Sequence, residues 1–135
     1  MIIVLDPNVL VSGLLKGRSN PGIIVNQVAS GRIRLAYDFR IIDEYRRVLK
    51  RPRFNFRENE IEALLKQIEA EGLVVTAAPL ALNLPDPADR PFWEVAAAGE
   101  GFPLVTGNRK HYPPEGLPVI KVLSPAEFIQ SFLQR

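Results

Sequence analysis

The chain has 135 residues, 47% of them hydrophobic and 24% charged, a composition typical of one globular domain rather than of a disordered protein. It contains no cysteine, which excludes disulfide bonds, thiolate metal sites and a cysteine nucleophile. No apolar run reaches the roughly 20 residues of a membrane helix, so we expect a cytoplasmic protein without a membrane partner. Seventeen Lys and Arg against fifteen Asp and Glu give a net charge of +2, too small to predict nucleic-acid binding by itself.

Short apolar strands alternate with helices along the chain. In chain order, the pattern predicts strands at 2–5, 32–37, 73–77, 103–107 and 118–123, with helices at 8–15, 20–31, 39–50, 55–72 and 92–99 and a last helix from 125. The strands are almost continuously apolar, which is typical of a parallel sheet covered on both faces. We found no repeat and no linker. The sequence therefore predicts a single α/β/α sandwich with a central parallel sheet over residues 1–135.

Capping signals indicate where several helices begin. Asn20-Pro21 is a cap followed by proline, and Ser124 with Glu127 forms a capping box. Asn55 with Glu58 also has capping-box spacing and predicts the start of the clearest amphipathic helix. These signals set the expected helix boundaries.

Polar side chains follow the predicted strands at the edge where parallel sheets bind ligands. Asp6 ends the first strand, Asn108 follows the fourth, and Asp86 and Asp89 precede the helix that leads into that fourth strand. Each has a purely architectural alternative, since Asp6, Asp86 and Asp89 are suited to helix caps and Asn108 to a turn. Their convergence on one edge favours a functional site.

Glu44 lies on the apolar stripe of its helix. Ile41, Tyr45 and Val48 form this stripe, and Glu44 is three residues after Ile41 and four before Val48. A carboxylate on the buried side needs a partner, because an unpaired buried charge is costly. The partner is either an arginine or a ligand, and the sequence leaves both open.

Basic residues concentrate in segment 46–53 and again after Asn108. A solvated helix face with an Asp43–Arg47 pair explains them in structural terms. The functional alternative is a strip that contacts RNA phosphates beside the crevice, made of Arg46, Arg47, Lys50, Arg51, Arg109 and Lys110. His111 is the only histidine, and we expect it on a surface loop rather than in a metal site.

Four segments in register resemble one known family. They are "VLDPNVLVSGLL" near the start, "DEYRRVLKRPRF" in the middle, "LPDPADRPFWEVAAAGEGFPLVTGNRK" and the final "SPAEF". Together they resemble the PIN-domain family, and within it the toxin components of toxin–antitoxin systems (VapC-like). The resemblance implies a parallel α/β/α fold, metal-dependent ribonuclease activity with Mg²⁺ or Mn²⁺, an RNA substrate and an antitoxin protein as partner. A homodimer is compatible with this chain and is not determined by it.

The family's acidic positions carry over onto this chain only in part. Asp6 matches the first acid and Glu44 the second, and both would bind the metal. The third acid aligns with Arg90, one residue from Asp89, and Asn108 stands where the fourth acid is usual.

These departures leave two hypotheses open. In the first, Asp6, Glu44 and Asp89 bind a metal ion and Asn108 supplies a neutral fourth oxygen for RNA hydrolysis. In the second, Pro7, Arg90 and Asn108 mark a domain of this fold that binds RNA or a partner without cleaving. A phosphatase with Asp6 as nucleophile is disfavoured, because Asn8 stands where that chemistry needs a second acid.

Overall fold

A computed structural model describes residues 1–81, 84–112 and 120–133. Its strands are β1 (Ile2–Leu5), β2 (Arg34–Tyr37), β3 (Leu73–Val74), β4 (Leu104–Val105) and β5 (Val122–Leu123). Its helices are α1 (Pro7–Leu15), α2 (Asn20–Ala29), α3 (Phe39–Leu49), α4 (Glu58–Glu71), α5 (Arg90–Ala97) and α6 (Pro125–Phe128), the last continuing as a π-type turn over Ile129–Leu133. Short 3₁₀ turns form at Pro52–Phe54, Pro87–Asp89 and Arg109–His111.

The five strands form one parallel sheet in the order β3-β2-β1-β4-β5. In β1, Ile3, Val4 and Leu5 are all fully buried. Successive side chains of a strand face opposite sides, so helices must cover both faces at the centre of the sheet. The predicted α/β/α architecture with a parallel sheet is confirmed.

The strand order reverses between β1 and β4. From β1 the chain builds outward through β2 to β3 on one side, and it returns to place β4 and then β5 on the other. The register pairs Leu5 with Val105, so both strands end at the same level. In open parallel sheets, ligands bind in the crevice at such a reversal. The fold therefore places a binding position directly after Leu5 and Val105.

Close packing between α1 and α2 depends on a glycine. A Cβ atom at Gly13 would lie 2.7 Å from the carbonyl oxygen of Pro21, which is too close for any other residue to fit without movement. Gly13 thus lets the two helices approach each other closely.

Several predicted boundaries needed correction. The Asn55–Glu58 capping box is wrong: the chain enters α4 at Arg57 with no side-chain cap, while Asn55 ends the 3₁₀ turn with a left-handed φ of 53°. Helix α2 is capped by Ser19 rather than Asn20. The Ser124–Glu127 capping box is confirmed.

The strand predicted at 118–123 is described only in part. Val122 and Leu123 form β5, whereas Pro118 and Val119 lie outside the described residues. Within the described ranges, no helix is long and apolar enough to cross a membrane.

Candidate functional site

Asp6 is both a helix cap and a buried acid at the reversal point. One carboxylate oxygen, Oδ1, accepts a hydrogen bond of 2.9 Å from the Asn8 amide, which caps α1. The other, Oδ2, accepts a hydrogen bond of 2.6 Å from the Thr106 hydroxyl across the sheet. Asp6 is only 3% exposed. The architectural and the functional interpretations of this residue are thus compatible, because both oxygens are oriented before any ligand arrives.

Thr106 is a site residue that the sequence analysis missed. It is fully buried, it follows β4, and its hydroxyl also accepts a hydrogen bond of 3.0 Å from the Asn108 amide. The side chain of Asn108 does not line the cavity described below. Asn108 is therefore connected to the site only by its main-chain amide, which donates to Thr106. The sequence signal for Thr106 was a threonine directly after an apolar strand.

Tyr45 fixes α3 against the end of β1. Its hydroxyl donates a buried hydrogen bond of 2.6 Å to the carbonyl oxygen of Leu5, and its ring centroid lies 5.9 Å from that of Phe92 on α5. Burial raises the pKa of this phenol well above its ordinary value, with the charge of Asp6 as a second cause. The Tyr45 hydroxyl stays protonated, and the helix it anchors carries the adjacent Glu44 to the cavity.

A cavity of about 200 Å³ lies beside Asp6, at the carboxyl end of β1. Residues at the start of α1, along α3 and around the start of α5 line it. Five of the predicted site residues line it: Asp6, Glu44, Asp89, Arg47 and Arg51. Five others do not: Asn108, Arg46, Lys50, Arg109 and Lys110. Asp86 also lines the cavity, so four carboxylates share one small space with two arginines.

Arg90 points away from this space. Its guanidinium donates to the carbonyl oxygen of Leu80 and lies 4.0 Å from a carboxylate oxygen of Glu94. Glu94 is itself held by Arg40 at 2.8 Å and by the Leu80 amide at 2.8 Å. The cation at the position expected for the third acid is thus engaged on the other side of α5, and Asp89 lines the cavity in its place.

The Asp89 carboxylate is buried in an unfavourable environment. The residue is 8% exposed, and its Oδ2 atom accepts no hydrogen bond from the described residues. Burial, followed by the negative charge of Asp6, raises the pKa of Asp89 to about 6. The negative charge of Asp6 opposes ionisation of the buried Asp89 carboxylate, and the neighbouring His111 offsets this only in part. A bound divalent cation would relieve this repulsion, so the residues present fit such an ion.

His111 also lines the cavity, contrary to the expectation of a surface loop. It ends the 3₁₀ turn at Arg109–His111, and its Nδ1 lies 3.0 Å from Asp89 Oδ2. The next residue, Tyr112, packs its ring on Trp93 with 5.7 Å between centroids. The buried contact between Tyr112 and Trp93 holds the adjacent His111 at the cavity. No local sequence pattern predicts this contact, because Trp93 and Tyr112 are far apart in the chain.

The basic residues divide into two groups. Outside the cavity, Arg46 pairs with Asp43 and Glu62, and Lys50 pairs with Glu58 and Glu62. The predicted Asp43–Arg47 pair does not form.

Inside the cavity, Arg47 pairs with Glu44 instead, while Arg51 makes no ion pair with the described residues. Near the other end of the site, Arg109 pairs with Glu127 at 3.1 Å. Arg51 is therefore the cavity arginine whose charge is not already neutralised by a carboxylate.

Fold and site together define a parallel α/β/α protein with an acid-lined cavity at its topological reversal point. The chain matches the family model described as PIN domain over residues 2–110, and it belongs to the PIN-domain family. No curated protein and no solved structure matches it significantly.

PIN domains form a nuclease superfamily whose members generally use divalent metals, and the family indicates RNA binding. In this chain one carboxylate oxygen each from Asp86 and Asp89 and one nitrogen of His111 all lie within 4.8 Å of one another. A group that is able to hold a metal ion is therefore present at the cavity.

Proposed function

We propose that this protein is a metal-dependent endoribonuclease of the toxin type found in toxin–antitoxin systems. The observation that carries the proposal is the shared cavity of Asp6, Glu44 and Asp89, with Arg47 and Arg51 at its wall. Carboxylate oxygens are the ligands that Mg²⁺ and Mn²⁺ prefer, and arginine binds phosphate. A cavity with both is suited to a phosphodiester.

The three carboxylates have separate tasks in this mechanism. Asp6, with both oxygens oriented by Asn8 and Thr106, would give the metal ion a fixed ligand. Glu44 on α3 and Asp89 just before α5 line the same cavity and would provide further ligands. A divalent ion held there would supply positive charge to polarise the phosphate and to favour ionisation of the attacking water. The carboxylates hold that charge in place and orient the water.

The two arginines orient the RNA. Arg51 is half-buried at the cavity wall with no acidic partner among the described residues, so its guanidinium is available to a phosphate oxygen. Arg47 is held by Glu44, which positions it at the mouth of the cavity. Hydrolysis then adds water across a P–O bond of the bound phosphodiester. Arg46, Lys50, Arg109 and Lys110 contribute longer-range attraction for the strand.

RNA cleavage with a matched pair of variants tests the proposal. The untagged full chain is incubated with an end-labelled RNA of mixed sequence in Mn²⁺, in Mg²⁺ and in EDTA. We expect cleavage with metal and none with EDTA, and a loss of at least about 100-fold in Asp6→Asn, since a ligand charge is removed but the cap of α1 is retained. Asp43→Asn, an exposed acid on α3, is the control and keeps the native rate.

A second candidate function is supported by Asn108. Its side chain lies outside the cavity, so one of the four ligand positions usual in the family contributes no side chain here. In that case the protein binds RNA or an antitoxin and does not cleave. Binding of the labelled RNA that is unaffected by Asp6→Asn, with no cleavage in either metal, would favour this second function and exclude the first.

The toxin role has its own test. Induced expression of the native chain in a bacterial host should arrest growth, and Asp6→Asn should not, because arrest depends on cleavage. Co-expression with the protein encoded next to it should relieve the arrest if that neighbour is an antitoxin. Growth that is the same with native chain and variant would contradict the toxin role while leaving nuclease activity to be judged by the cleavage assay.

A further inference from the structure

Asp86, Asp89 and His111 form a tighter group than the other cavity acids. One donor atom from each lies within 4.8 Å of the other two, whereas Asp6 and Glu44 line the same cavity outside this group. We call these three residues the acid–histidine cluster. It is a mixed set of two carboxylates and one imidazole, whereas the set expected from the sequence supplied only oxygen atoms.

Asp89 is the buried member of this cluster, and the His111 imidazole contacts one of its carboxylate oxygens. Its Oδ2 accepts no hydrogen bond from the described residues, although His111 Nδ1 is only 3.0 Å away. The two atoms are thus in contact without a hydrogen bond between them. A buried carboxylate oxygen left in this state is costly, which points to a ligand that both atoms share.

The spacing between these two atoms suits a common cation. Two ligand atoms that are each about 2.1 Å from one octahedral ion, at right angles, lie about 3 Å apart. The observed 3.0 Å between His111 Nδ1 and Asp89 Oδ2 has this value.

Asp86 adds the third donor. Its Oδ1 accepts a hydrogen bond of 3.0 Å from the Ala88 amide, which fixes the side chain and leaves the other oxygen available.

We propose that the acid–histidine cluster binds a transition-metal dication and makes the site prefer Mn²⁺ or Zn²⁺ to Mg²⁺. Imidazole nitrogen is a good ligand for transition metals, whereas Mg²⁺ binds oxygen almost exclusively. This inference deepens the proposed function, since the ion would lie in the cavity that Asp6 and Glu44 share. His111 would thereby supply a ligand to a cavity that the Asn108 side chain does not line.

Calorimetric titration of the untagged full chain tests the preference. Mn²⁺ and Mg²⁺ are titrated separately into the native protein and into His111→Asn, with the melting temperature of each variant measured to verify folding. We expect His111→Asn to lose at least about 10-fold in Mn²⁺ affinity and less than about 3-fold in Mg²⁺ affinity. Equal losses for the two ions, or no loss for either, would overturn the proposal.

Two acid variants separate the cluster from a general charge effect. Asp86→Asn retains the cap oxygen that accepts from Ala88 but removes the ligand charge, so its affinity for Mn²⁺ should fall. Asp43→Asn removes the same charge from an exposed position and should leave the affinity unchanged. A similar change in both variants would contradict a built site.

Nuclear magnetic resonance provides a direct readout, because the chain has one histidine and its signals need no assignment. Addition of Zn²⁺ should shift the ¹⁵N resonance of His111 Nδ1 strongly, and addition of Mg²⁺ should not. No shift with Zn²⁺ would overturn the proposal.

The two proposals fail separately. If metal-dependent cleavage requires Asp6 but the preference for Mn²⁺ does not require His111, the nuclease stands and the cluster proposal fails. If the preference requires His111 but Asp6→Asn cleaves RNA normally, the cluster stands and the proposed function fails.

Discussion

The two sides of the cavity hold their carboxylates in opposite ways. On the side of the strand ends, each oxygen of Asp6 accepts a hydrogen bond, from Asn8 and from Thr106. On the side of the loop, Asp89 is buried and its Oδ2 accepts none from the described residues. The first carboxylate is part of the fold's own hydrogen-bonding network. The second is held against its electrostatic preference, which is typical of a binding site rather than of a structural contact.

Removal of the Asp6 carboxylate should have the largest effect on stability. Asp6→Ala removes the cap of α1 and leaves the buried Thr106 hydroxyl without its acceptor, so the free energy of unfolding should fall by about 3 kcal/mol. Urea denaturation in EDTA measures this change. Asp43→Ala, on the exposed face of α3, is the control and should change the free energy by less than about 0.5 kcal/mol. An equal effect of the two variants would show that Asp6 is not structural.

Loss of the Thr106 hydroxyl should have the next largest effect. Thr106→Val keeps the shape of the side chain but removes the donor to Asp6 Oδ2 and the acceptor of the Asn108 amide, at a cost of about 2 kcal/mol. Thermal denaturation of this variant is compared with that of Thr76→Val, at an exposed position. A melting temperature for Thr106→Val as high as that of the control would mean that the hydrogen bonds of Thr106 with Asp6 and Asn108 do not stabilise the fold.

Neutralisation of Asp89 should raise the free energy of unfolding of the metal-free protein at neutral and alkaline pH, whereas the two preceding substitutions lower it. The pKa of Asp89 is raised to about 6 in the folded protein, mainly by burial and then by Asp6, above the 3.8 that is ordinary for this group. A raised folded-state pKa favours folding below pH 3.8, and this contribution is lost as the pH rises through about 6.

Asp89→Asn should therefore stabilise the metal-free protein by about 1–2 kcal/mol at pH 8 and by much less at pH 4. Denaturation in EDTA at the two pH values, with Asp43→Asn as control, measures the difference. Destabilisation by Asp89→Asn at pH 8 would show that the Asp89 carboxylate stabilises the fold, as the Asp6 carboxylate does.

The smallest effect concerns the arginine at the cavity wall. Arg51→Gln should weaken RNA binding in EDTA about 5-fold and reduce the salt dependence by about one phosphate contact. Arg46→Gln removes a cation that Asp43 and Glu62 already neutralise, and its effect should be smaller. Fluorescence anisotropy at several salt concentrations compares the two. A larger loss for Arg46→Gln would place the RNA on the outer face of α3.

The sequence predicted the parallel sheet, the place of Asp6 after the first strand and the need of Glu44 for a partner, which in the structure is Arg47. These features follow from local periodicity and from the rule that parallel strands end at one edge. Whether Arg90 or Asp89 enters the cavity was undetermined, because that choice depends on Leu80 and Glu94, which hold the arginine through contacts between segments.

His111 and the start of α4 show where local patterns are insufficient. His111 was expected on a surface loop, and it reaches the cavity because its neighbour Tyr112 packs on Trp93, a contact between distant parts of the chain. The Asn55–Glu58 spacing matched a capping box, but Asn55 instead ends the 3₁₀ turn Pro52–Phe54 in a left-handed conformation. Tertiary contacts and an adjoining turn override the local signal in both cases.

A crystal structure of the untagged protein soaked in millimolar Mn²⁺, read in anomalous difference density, would show whether the cavity binds a metal ion. We expect a peak inside the cavity, in ligand contact with Asp89 and with at least one of Asp6, Glu44 and His111. Full density for these side chains with no peak between them, or a peak only at the protein surface, would contradict this expectation.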